Sequence, residues 1–166
     1  MTAENLAQDC FRRLQLALED ASATDKKSDE RSAFVYRHAV TIQRLAEDVM
    51  HLEADGNHYS SAIIVRSILE CLFNLVAAVE HPNFAVEKLI WEVEDEVKKI
   101  RKWIETTGED ETGFEETIKD LESLSSSLRQ KYNTSAQLNW NAFESSRRAG
   151  LVGEYRREYF IYSKAV

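Results

Sequence analysis

Three polar residues, Arg66, Glu70 and Asn74, interrupt the most apolar stretch of the chain. Their i, i+4, i+8 spacing puts them on one stripe of a helix, where Arg66 and Glu70 can pair and Asn74 can extend the pair. Around them stand Ile63, Ile64, Val65, Ile68, Leu69, Leu72, Phe73, Leu75 and Val76. A helix this apolar is expected to be buried at the centre of a bundle, where an unpaired charge would cost on the order of several kcal/mol. Two readings stay open. In one, Arg66 and Glu70 neutralise each other in the core and Asn74 completes the network. In the other, the line borders a polar pocket, with Arg66 binding an anionic group and Glu70 orienting it or acting as an acid or base.

A second pattern concerns arginine and histidine. Arg44–His51 and Arg31–His38 resemble the motif of ribonucleases of the HEPN class (named for higher eukaryotes and prokaryotes nucleotide-binding), in which a histidine follows an arginine on a helix after four to six residues. The next residues are Leu45 and Ser32, where that class favours a strongly polar one, and about one such match is expected by chance. His51, Glu53, Asp55 and His58 cluster without metal-ligand spacing, so no metal is expected. No glycine-rich phosphate loop, nucleophile elbow or Cys–His dyad is present, and no cofactor is expected.

The elements that must carry these residues read as helices. One proline and five glycines interrupt 166 residues, and no alternating β-branched run suggests a strand. Helices are expected over about 3–20, 30–52 and 58–80, the last ended by His81–Pro82, with Pro82 suited to the first turn of the next helix. The turn at Asp55–Gly56–Asn57 separates the second and third. In the fourth, Val86, Ile90, Val93, Val97, Ile100 and Ile104 repeat at heptad spacing. After a turn over 106–113 the fifth answers with Phe114, Ile118, Leu121, Leu128 and Tyr132, Ser125 taking the remaining slot. An antiparallel hairpin over about 82–132 follows, padding the bundle or mediating self-association. A sixth helix over about 135–149 and a last over 154–164, split by Gly150 and Gly153, complete an all-α bundle of six to seven helices in one domain, 1–166.

The net charge of −8 disfavours a protein that coats nucleic acid. Residues 87–122 carry thirteen acids against six bases, whereas Arg147, Arg148, Arg156, Arg157 and Lys164 give the C-terminal end a basic excess over Glu154 and Glu158. Cys10 and Cys71 fall within apolar helical patterns and read as small hydrophobes in a reducing compartment. The N-terminal residues lack a signal-peptide pattern, and Arg66 and Glu70 argue against a membrane span over 62–79, so a cytoplasmic location without a membrane partner is expected.

The run Ala62-Ile-Ile-Val-Arg66-Ser-Ile-Leu-Glu70 and the segment Ala149-Gly-Leu-Val-Gly-Glu-Tyr155-Arg-Arg-Glu-Tyr159-Phe-Ile-Tyr-Ser163 together resemble a bacterial family of helical proteins, domain of unknown function fifty-six seventy-seven. The resemblance covers roughly 55–80 and 149–163. It implies that Arg66, Glu70, Tyr155, Tyr159 and Ser163 converge. It also implies a histidine about four residues after the serine, whereas Ser163 here is followed by three residues, so the natural chain either continues past Val166 or lacks that histidine. The resulting expectation is a bacterial or phage binding or regulatory module in stress or defence, with a homo-oligomeric or protein partner. The alternatives are a metal-independent ribonuclease or toxin acting on RNA through Arg44 and His51, and a structural homodimer built around a buried ion pair.

Overall fold

Asp29 opens the first described helix because its carboxylate accepts from the Ser32 N–H at 2.7 Å, holding an otherwise unpaired donor of the first turn. The computed structural model describes residues 29–108, 111–134 and 140–159. The expected helix over 3–20, with Cys10, lies outside them. All regular structure among the described residues is helical.

Helix α1 spans Glu30–Ala54 and α2 spans His58–Glu80. Between them Gly56 adopts φ +72°, and Asn57 caps α2 by accepting from the Ser60 N–H at 3.2 Å. Glu53 locks this turn, accepting the Ser61 hydroxyl and pairing with His58 Nδ1 at 2.7 Å. At the far end Arg31 donates from Nε to the Ala78 carbonyl (2.9 Å) and from Nη2 to that of Val79 (2.8 Å), satisfying groups that the end of α2 leaves without helical partners.

The Glu53 lock predicts an acid sensitivity. Hydrogen bonds from Ser61, then from His58, hold its carboxyl below the ordinary value of 4.5. A depressed folded-state value means stability present above about pH 4.5 and lost as the pH falls through the folded value. Glu53→Gln is therefore expected to flatten the acid limb of a thermal-midpoint profile, and an unchanged limb would refute the assignment.

The rest of the chain departs from expectation in three places. Pro82 lies in a turn ahead of helix α3, Phe84–Thr107, rather than in its first turn, because Asn83 takes the cap position. The 3₁₀ turn Glu111–Gly113 leads into α4, Glu115–Tyr132, as the heptad pairing requires. The expected sixth helix over about 135–149 is described as α5, Ala142–Arg148: 135–139 lie outside the described residues, and 140–141 are not helical, since Asn141 caps α5 through the Glu144 N–H (2.9 Å) and Trp140 packs edge-on against Phe84 at 4.9 Å. Gly150 at φ +70° closes α5. The last element starts at Val152 rather than 154, α6 (Val152–Glu154) running into a π-turn over Tyr155–Tyr159, and 160–164 of the expected helix lie outside the described residues.

These elements form two compact units, residues 1–82 with 141–166, and residues 83–140. In the first, α1 and α2 make an antiparallel pair, and α5 and the π-turn pack on α2. Ser145 and Ser146 are both buried, and their small side chains let α5 approach closely. His81 Nε2 donates to the Arg148 carbonyl at 2.7 Å and joins the ends of α2 and α5. In the second unit α3 and α4 pair along the heptad seam, with Val86, Ile90 and Leu128 as a buried cluster.

Helix α2 is less enclosed than its composition suggests. Ser61, Phe73, Ala77 and Ala78 are buried, but Tyr59, Ile63, Leu72 and Val79 are exposed. By length and composition alone it is apolar enough to cross a membrane, as core helices of soluble proteins also can be. Among the described elements α1, α5 and the π-turn pack on it, and part of its apolar surface stays exposed.

Candidate functional site

Arg66 and Glu70 sit one turn apart on α2, and the π-turn brings Tyr159 to both. Arg66 Nε donates to the Tyr159 hydroxyl oxygen at 3.1 Å, and that hydroxyl donates to Glu70 Oε1 at 2.6 Å. A direct contact of 3.4 Å between Arg66 Nε and Glu70 Oε1 closes the triangle. The guanidinium also lies over the Tyr159 ring, 5.1 Å from its centre.

The aromatic support is equally specific. Tyr155 and Tyr159 are four residues apart, and the widened turn lets their rings stack at 4.8 Å and 18°. Phe73, fully buried on α2, touches both rings at 6.2 and 6.4 Å, and Phe143 of α5 meets Tyr155 edge-on at 5.4 Å. Tyr159 is thereby fixed before it meets a charge.

Electrostatics follows from this placement. Burial, then the hydrogen bond to Glu70, pushes the Tyr159 phenol above its usual value, with Arg66 opposing. The Tyr159 hydrogen bond, ahead of Glu70, raises Arg66 further. Both groups keep their protons across the physiological range. The side chains of Arg66 and Glu70 are 39% and 42% exposed, so the pair is not sealed in a core. The expected central burial of this line is corrected accordingly: both side chains remain partly exposed beside the described neighbours of α2.

The line also divides. Asn74 takes no part in the triangle; its Nδ2 donates to His38 Nε2 at 3.4 Å across to α1. His38 is buried against the Phe34 ring at 4.1 Å, and its Nδ1 bonds the Phe34 carbonyl at 3.0 Å, which makes Nδ1 the protonated nitrogen and Nε2 the acceptor. The Asn74 Oδ1 is buried without a hydrogen-bond partner among the described residues. Spacing alone gave no signal for the His38–Asn74 contact, which depends on how α1 is rotated against α2.

Of the residues the resemblance brings together, Arg66, Glu70 and Tyr159 share one network, and Tyr155 supports it through its ring. Ser163 lies outside the described residues. Arg31 and His38 are engaged separately, the first on the end of α2 and the second beneath Asn74. Arg44 and His51 lie exposed on one face of α1, about 10 Å apart along its axis. No described hydrogen bond or ion pair links them to each other or to the triangle. Among the described residues no group of His, Cys, Asp and Glu side chains is arranged to hold a metal ion.

No curated protein and no solved structure matches the chain. A family model described as a Family of unknown function (DUF5677) matches residues 32–166, which include α2, both tyrosines and nearly all of α1, and the chain belongs to that family.

Proposed function

We propose that the chain is a binding module whose recognition point is Arg66, held by Tyr159 and Glu70, and that it takes a carboxylate or phosphate group presented by a partner. The half-exposed guanidinium carries this reading. Its Nε faces inward to Tyr159, and among the described residues neither Nη group makes a hydrogen bond, so the fork that suits a two-oxygen anion is available. Glu70 and the stacked tyrosines supply pre-organisation, which lowers the ordering cost of binding. Binding is favoured over proton transfer because Arg66 and Tyr159 are both moved away from neutral titration. A regulatory role, in stress or phage defence, would be exercised through that contact.

The test is an NMR titration of the full chain with acetate and with inorganic phosphate at constant ionic strength. A saturable shift of the Arg66 Nε–H resonance is expected at millimolar anion, and the accompanying backbone amide shifts around 66–70 should be lost in Arg66→Met. An Arg66 signal that moves with neither anion would sink the reading. A purely structural pair predicts something else: Arg66→Met with Glu70→Leu would keep or raise stability and leave anion binding unchanged.

A further inference from the structure

The seam between α3 and α4 has one slot without a large apolar side chain. Ser125 stands there, 6% exposed, in the rhythm that otherwise runs Ile118, Leu121, Leu128 and Tyr132. A serine cannot fill a hole shaped for leucine. A cleft of about 470 Å³ opens at that level, floored by Val93, Val97 and Leu121, with Lys98, Arg101 and Arg129 and the carboxylates of Glu94 and Glu122 on its border.

Beside the seam each helix carries a polar stripe, and two ion pairs set their register. Arg129 grips Glu94 with both ends of its fork, at 2.8 Å from Nε and 3.1 Å from Nη2, and Arg101 Nη2 donates to Glu122 at 2.7 Å. Lys98 is four residues from Glu94 and three from Arg101; Ser125 is four from Arg129 and three from Glu122. Lys98 therefore stands opposite Ser125, on a rung that has a cation and no carboxylate. Glu94 is already occupied, since Ser125 also donates to it at 2.8 Å, and Arg129 is the leading reason its carboxyl lies below the usual range. Among the described residues Lys98 makes no hydrogen bond or close ion pair, though its charge acts on Glu94 from one turn away.

We propose that this cleft binds a small aliphatic carboxylate, its chain in the slot over Val93, Val97 and Leu121 and its headgroup on Lys98. Such a ligand supplies both missing parts at once, the apolar volume that Ser125 leaves empty and the anion that the middle rung lacks. The site is independent of Arg66, which lies in the other unit.

Octanoate, octanol and inorganic phosphate titrated into the full chain, read from backbone amide shifts, test both parts. Octanoate is expected to shift amides within 93–101 and 121–129 saturably, octanol to bind about tenfold more weakly, and phosphate not to bind there. Lys98→Gln should reduce octanoate to the level of octanol. Ser125→Leu should abolish octanoate binding while raising the thermal midpoint of the hairpin, because leucine completes the seam. No shift in the cleft, octanol equal to octanoate, or unchanged octanoate binding in Lys98→Gln would each overturn the proposal. The exposed Lys98 variant keeps the test decisive even if Ser125→Leu perturbs folding.

Discussion

Phe73→Ala is expected to cost about 3–5 kcal/mol of stability. Phe73 has no exposed surface, and its ring meets both Tyr155 and Tyr159. Truncation removes the transfer free energy of the ring and leaves a cavity beneath the stacked tyrosines. A loss of that size is a large part of the total for a domain of this kind. Urea denaturation of the full chain should show an earlier midpoint, and amide exchange should accelerate first in α1 and α2. Arg66 is expected to lose its Tyr159 contact in the same variant, so anion binding should weaken although no charged group has changed. A cost below about 1 kcal/mol would mean that the aromatic cluster is not the support described above.

Ile90→Ala is the corresponding change in the second unit, with an expected cost of about 2–5 kcal/mol. Ile90 is fully buried, clustered with Val86 and Leu128 and flanked by Leu89. Hydrogen exchange resolves the location of the loss. Protection should fall along α3 and α4, while Trp140, edge-on to Phe84 in the same unit, should show a changed fluorescence at lower denaturant. Undiminished protection in α3 would contradict the seam as the source of the hairpin's stability.

The helical fold was legible because its boundaries are written in residues with local causes. Asp29, Gly56 and Asn57 act within one turn of themselves, and the heptad of α3 reports a contact with the next helix in sequence. Packing between distant segments was less legible. Hydropathy marked α2 for burial, but hydropathy states what gains from being covered, not how many elements exist to cover it. Tyr159 entered only through the resemblance on the C-terminal tyrosines, since a contact across 93 residues has no periodic signature. His38 stands at motif distance from Arg31, yet across the helix pair it meets Asn74, a contact set by the rotation of α1. Trp140 falls within the expected sixth helix over about 135–149, but the Asn141 cap places it ahead of α5.

The two polar locks on the α1–α2 pair have a mechanical consequence. Glu53 with Ser61 and His58 fastens one end; Arg31 with the Ala78 and Val79 carbonyls fastens the other. Sliding one helix along the other by a residue would break both fastenings together, since each ties a particular side chain to a particular turn. The pair is therefore a plank pinned at each end rather than two rods free to shear. A force applied to α2 near Arg66, as when a partner docks there, is carried along the helix to both pins instead of being absorbed by slippage.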